Sequence, residues 1–192
     1  MNSELPENKQ QRVTPSPLER GQGGEAGEVL NRVQSSSLIT LDLEELYTPG
    51  ERIFYDIKPL LFQELILKEK DFRGSLKSTD WSAYKDQHIA IGCSADAIIP
   101  TWAYMLISIN LQPWAKTVFF GSLIDLEKHL FRKSLDQIEW QKYFQAKIVV
   151  KGCSKIDVPT EVYVEVASRL KSVASSIMYG EACSTVPLYK AK

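Results

Sequence analysis

The sequence predicts an α/β fold: a single domain with a mostly parallel sheet flanked by helices, preceded by a disordered N-terminal tail. Three observations carry that prediction. In the second half, short β-branched runs alternate with helical stretches, the pattern of right-handed crossovers onto a parallel sheet. The chain has 192 residues, of which 44% are hydrophobic, enough for one domain with a real core. Finally, residues 1–26 hold almost no apolar side chain besides Leu5, Val13 and Leu18. Such a segment cannot offset the entropy of ordering, so 1–26 is assigned to the tail and 27–192 to the α/β domain.

The tail contains Gly21, Gly23 and Ala26, a loose dinucleotide-loop pattern. Thr14-Pro15-Ser16-Pro17 before it is no strand, so the context such a loop needs is missing. A short helix is predicted from Gly27 through Val33. Ile39, Leu41 and Leu43 alternate with polar residues, which predicts a half-buried strand at a sheet edge. Pro49-Gly50 marks a turn. The run Ile53–Leu67 is apolar without a decisive period, and Lys68–Lys77 has helical composition. His88–Gly92 reads as a buried strand and Pro100–Leu111 as an apolar helix with Pro100 in its first turn. Thr117–Gly121 is the next strand and Leu123–Leu135 an amphipathic helix. Lys147–Lys151 is a strand, Pro159–Ala174 a helix capped by Asp157, and Ser176–Gly180 a further strand.

Charge and composition remove several classes. Lys plus Arg is 23 and Asp plus Glu 24, a net charge of -1. That balance lacks the excess positive charge of a nucleic-acid binder and any polybasic membrane signal. No apolar run reaches the ~20 residues of a spanning helix, and Met1 is not followed by a signal-peptide pattern. Three cysteines without an export signal indicate a reduced, cytoplasmic setting.

Those cysteines form the candidate site. Cys93, Cys153 and Cys183 each follow the C-terminal end of a predicted parallel strand, and each is followed by serine. Ligands of open α/β sheets bind at that edge, so the three are expected to converge if their strands are neighbours. Cys93 and Cys153 also precede predicted helices, whose N-termini favour thiolate. Three thiolates suit zinc or an iron–sulfur cluster with one open position. Asp96 and Glu181 are the nearest carboxylates for a fourth ligand, although Asp96 equally suits a helix cap and Glu181 solvation. Each cysteine alone suits packing, since free Cys is among the most buried residue types.

Other motifs are weak. His88 begins its strand, so ~17 Å of strand separates it from the cysteine edge. His129 sits in a helix between charged residues. No phosphate loop, GxSxG elbow or CxxC pair is present. Trp81, Trp102, Trp114 and Trp140 lack a basic stripe between them and read as core. The apolar helix around Trp102 and Met105 reads as a core helix or a dimer face.

Four stretches carry a resemblance. They are Leu38–Glu44, Leu65–Arg73, Cys93–Tyr104 (Cys-Ser-Ala-Asp-Ala-Ile-Ile-Pro-Thr-Trp-Ala-Tyr) and Ile177–Tyr189 (Ile-Met-Tyr-Gly-Glu-Ala-Cys-Ser-Thr-Val-Pro-Leu-Tyr). Together they resemble the Bacteroidota family known as domain of unknown function 2480, over roughly residues 28–192. The resemblance implies an uncharacterised bacterial protein, often encoded beside iron–sulfur assembly genes, and supplies no catalytic residues. It favours an iron–sulfur cluster over zinc at the three cysteines, with iron–sulfur assembly proteins as partners. The alternatives are a non-catalytic homo-oligomeric interaction module with packing cysteines, for which a homodimer is expected, and a cysteine-dependent sulfur-transfer enzyme.

Overall fold

A computed structural model describes residues 38–152, 155–181 and 183–192. The predicted tail and the helix predicted at Gly27–Val33 lie outside the described residues, as do Cys153 and Ser154. Seven strands and four α-helices follow in the order β1 (Leu38–Asp42), β2 (Arg52–Asp56), α1 (Glu69–Ser78), β3 (His88–Gly92), α2 (Thr101–Leu111), β4 (Thr117–Phe120), α3 (Leu123–Leu135), β5 (Lys147–Lys151), α4 (Thr160–Lys171), β6 (Ser176–Glu181) and β7 (Ser184–Lys190) among the described residues.

The strands make two sheets rather than one. The first is parallel in the order β2-β3-β4, with Ile53 opposite Ile89 and Ile89 opposite Val118. The second runs β1-β5-β6-β7, with Ile39, Ile148 and Ile177 in parallel register and β7 antiparallel at its edge. The N-terminal strand is therefore an edge strand, as expected, although Ile39 is exposed and Leu43 opens the following turn rather than extending the strand. All five residues of β3 are buried, which is why its sequence reads as an unbroken apolar run.

Helix α3 serves both sheets. Its Leu126 and Leu130 pack with Ala90, Phe54 and Phe119 on the first. Its Phe131 and Leu135 join Leu41, Ile148, Val150 and Ile177 of the second, together with Val162, Val166 and Leu170 of α4. The opposite face of the first sheet is covered by Phe72 and Leu76 of α1 and Ala103, Ile107 and Leu111 of α2. A capping box starts α3: the Asp125 N–H donates to Ser122 Oγ, and the Ser122 N–H donates to Asp125 Oδ2.

Two predicted caps are corrected. Pro100 and Pro159 are the N-cap residues of α2 and α4, and neither helix has a side-chain cap. Asp157 therefore does not cap α4, and Asp96 does not cap α2. The core reading of α2 holds for one face only: Met105 and Ile109 are exposed.

The two sheets are built from one repeated unit. Phe72-Arg73, Ser75-Leu76, Trp81, Tyr84, Ile89, Pro100-Thr101 and Tyr104 recur at constant spacing as Phe131-Arg132, Ser134-Leu135, Trp140, Tyr143, Ile148, Pro159-Thr160 and Tyr163. Gly92-Cys93-Ser94 recurs as Gly152-Cys153-Ser154, displaced by one further residue. The structure repeats with the sequence. Trp81 and Trp140 each sit in a 3-10 turn and donate Nε1–H to the carbonyls of Leu76 and Leu135. Asp86 and Gln145 share a left-handed backbone, with φ 61° and 56°. Each then donates its N–H to the end of its following helix segment, at Trp114 O and Val173 O. In this pairing α1-β3-α2-β4 corresponds to α3-β5-α4-β6, and β2 corresponds to β1.

Candidate functional site

The first C-terminal sheet edge is built around the end of β3. Cys93 follows Gly92 and is partly exposed. The neighbouring strand β2 ends in Asp56, whose Oδ1 accepts the N–H groups of Ser94 at 2.9 Å and Lys58 at 3.0 Å. Asp56 Oδ2 also accepts the Ser94 hydroxyl at 2.5 Å. Burial alone raises this carboxyl's pKa, but the Ser94 and Lys58 hydrogen bonds outweigh it and hold it below the usual carboxylate value. The carboxylate thus fixes the chain on both sides of the edge. Tyr104 of α2 reaches the same place: burial and the neighbouring Cys93 raise its phenol above the ordinary range. Lys58 is held protonated chiefly by its bond to Glu64 at 3.0 Å, with Asp56 and Cys93 contributing less.

The second edge has the same plan. Asp42 ends β1, the counterpart of β2, and its Oδ1 accepts the Glu44 N–H at 3.0 Å as Asp56 accepts that of Lys58. Tyr163 of α4 stands where Tyr104 does. A Cβ on Gly152 would lie 2.5 Å from its hydroxyl, so the absence of a side chain there lets the phenol lie over the backbone. Tyr163 packs edge-on to Tyr179 with ring centroids 5.8 Å apart, as Tyr104 does to Phe120 at 4.9 Å. The segment after Ser154 is tied back by the Lys155 N–H to Glu44 Oε1 at 3.0 Å. Lys151 spans this edge, with Nζ 3.4 Å from Glu181 and 3.9 Å from Asp42.

The predicted site residues fall on both edges. Cys93 and Asp96 belong to the first sheet; Asp96 is exposed in the loop before α2. Glu181 ends β6 and Cys183 occupies the turn into β7, where it is exposed. Cys153 lies outside the described residues, two positions beyond β5. β5, which ends two positions before Cys153, pairs with β6, which ends in Glu181 two positions before Cys183. Among the described residues no group of three His, Cys, Asp or Glu is arranged to hold a metal ion. Cys93 is separated from α2 by the loop 94–100, so the helix dipole, which acts within the first turn, does not reach its thiol as expected.

Both histidines are structural. His88 is 2% exposed, with Nδ1 3.1 Å from Thr117 Oγ1 and Nε2 3.1 Å from the Pro49 carbonyl. His129 stacks on Phe119 at 4.7 Å. Sequence reasoning missed Asp42, Asp56, Tyr104 and Tyr163. The recurrence of Gly-Cys-Ser with a Pro-Thr and a tyrosine downstream was the signal that could have found them.

These features define an α/β protein of two repeated units, each with an aspartate ending its first strand and a tyrosine in its second helix near the C-terminal sheet edge. The chain belongs to the family described as "Protein of unknown function (DUF2480)", which it matches over residues 27–191. No curated protein and no solved structure matches it. No helix among the described residues is long and apolar enough to cross a membrane.

Proposed function

We propose that this chain is an accessory protein that binds a soft metal ion or an iron–sulfur cluster through thiolates at the second sheet edge. Cys153 and Cys183 are the principal ligands and Glu181 the accompanying carboxylate. The observation that carries the reading is the parallel pairing of β5 with β6. β5 and β6 each end two residues before a cysteine, Cys153 and Cys183, which supports a shared site for the two, whereas Cys93 follows β3 of the other sheet.

The donor chemistry fits. Thiolates select zinc or iron–sulfur centres over hard cations. Glu181 is paired with Lys151 at 3.4 Å, so its carboxylate must exchange an ammonium for the metal. Free thiolate ligands persist in a reducing compartment, so this reading sets the protein in the cytoplasm with cluster-assembly proteins as its partners.

The test is anaerobic purification followed by iron, zinc and acid-labile sulfide analysis. Iron with sulfide identifies a cluster, and zinc without sulfide a single-ion site. Cys153→Ser and Cys183→Ser are expected to lose the bound metal, while Cys93→Ser keeps it. Metal-free fresh protein, or unchanged content in both Cys153→Ser and Cys183→Ser, overturns the reading.

A further inference from the structure

We infer that the outer edge of β4 is a homodimer interface, at which two copies pair β4 antiparallel about Phe119 and extend the three-stranded sheet across a twofold axis. The comparison between the two repeats carries this. In the second repeat the strand equivalent to β4 is β6, and its outer edge is covered by β7, with Ile177 opposite Tyr189 and Tyr179 opposite Val186. The first repeat has no such strand: β4 is the last in its sheet among the described residues.

The edge has the chemistry of a pairing surface. The N–H groups of Thr117 and Gly121 point to β3, at Gln87 O and Ile91 O. By alternation, Val118 and Phe120 direct both their N–H and their C=O outward. An antiparallel partner aligned on Phe119 places Val118 against Phe120 in both directions, and the two pairs exchange four hydrogen bonds. Thr117-Val118-Phe119-Phe120 carries no charge and no proline, the devices that usually protect an edge.

Two of the four adjoining apolar side chains have polar counterparts in the second repeat, while Met105 and Phe120 correspond to Val164 and Tyr179. Phe120 is 66% exposed, and Met105 and Ile109 of α2 are 61% and 67% exposed beside it. Ile98, in the loop before α2, is 95% exposed. Asp157 and Ser168 stand at the positions equivalent to Ile98 and Ile109. A second copy is the fitting occupant. No charged residue lies between Asp96 and Lys116, so the α2 side of the patch opposes no like charges across a twofold axis, and beside Phe119 on the α3 side both signs are present, in Asp125, Lys128, Arg132, Glu161 and Glu165. Each of these four side chains leaves roughly 125 Å² open, so full cover of all four in both copies buries about 1,000 Å², the floor for a specific interface.

The test uses the full chain in sedimentation velocity at micromolar concentrations, with amide exchange in the same samples. A dimer is expected, and Ile109→Glu should raise its Kd about 30-fold or more, the loss of a central anchor. Val164→Glu alters an equally exposed residue of the second repeat and should leave the Kd unchanged. The Val118 and Phe120 amides should exchange more slowly in the dimer than in the Ile109→Glu monomer. Met105→Glu replaces Ile109→Glu should circular dichroism show that the latter is unfolded. The inference is overturned by a monomer at every concentration, by a dimer that Ile109→Glu and Met105→Glu leave intact, or by a dimer whose Val118 and Phe120 amides gain no protection. Equal weakening by Val164→Glu also overturns it.

Discussion

Adjacent residues of α3 face different sheets, and this sets a sharp expectation for Leu130→Ala and Phe131→Ala. Leu130 is 2% exposed among Ala90, Leu126, Phe54 and Phe119 of the first sheet's cluster. Phe131 is 1% exposed within the core of the second. Leu130→Ala removes three carbons, about 2.4 kcal/mol at ~0.8 kcal/mol per buried methylene. The cavity left behind raises that to about 3 kcal/mol. Phe131→Ala should cost about 4 kcal/mol. Because one helix carries both contacts, each variant should move a single cooperative transition. The shift for Leu130→Ala is roughly 6–12 °C, at about 2–4 °C per kcal/mol for a chain of this length. Differential scanning calorimetry with near-ultraviolet dichroism follows it. Two resolved transitions, with Leu130→Ala moving one and Phe131→Ala the other, would refute the coupling through α3.

Four further outcomes follow from the site and the repeat. Asp56→Ala should destabilise by about 1–2 kcal/mol through loss of the Ser94 and Lys58 hydrogen bonds, and should speed alkylation of Cys93 by freeing its loop. The folded carboxyl is held below its ordinary value, so its stabilisation is present at neutral pH and lost as pH falls below about 4 toward the folded pKa. Asp56→Asn should therefore flatten part of the acid limb in urea titrations run between neutral pH and about pH 3. Gly180→Ala meets a φ of +118° and places a Cβ 2.7 Å from the Ser184 carbonyl oxygen, and should cost about 1–3 kcal/mol in thermal melts. Trp81→Phe and Trp140→Phe each lose one indole hydrogen bond and should each cost about 1 kcal/mol; a marked inequality would break the equivalence of the two turns.

Much of the local structure was legible because it follows from burial. β3 is buried on both faces and reads as an unbroken apolar run, and α3 shows its two apolar flanks at helical spacing. What sequence periods do not encode is which strands become neighbours. The edge argument for the three cysteines assumed one sheet, and the chain divides its strands between two. β7 escaped because Pro187 and a half-exposed edge obscure its alternation. The turns at Trp81 and Trp140 are too short for a helical period to show. In Ile53–Leu67 the ambiguous period has a physical cause: β2 gives way to a 3-10 turn at Lys58–Leu60 and then to a bridge between Phe62 and Ile66.

The order of the strands bears on how the repeat is assembled. A simple tandem copy would place the first strand of the second unit between β4 and α3. Only Gly121 and Ser122 separate those elements, and Ser122 is already committed to the capping box. The second sheet instead takes its first strand from the N-terminal side, where β1 precedes β2 and pairs with β5 across the whole first repeat. The two first strands thus sit next to each other in sequence while serving different sheets. They carry the matching aspartates, Asp42 and Asp56, that accept the N–H groups two residues on. Both cysteine edges depend on this arrangement. The second edge is complete only after β1 has crossed to β5, a pairing of large sequence separation and large loop-closure cost. The first edge closes within a shorter segment. Helix α3, packed on both sheets, is the element through which the two halves share one core.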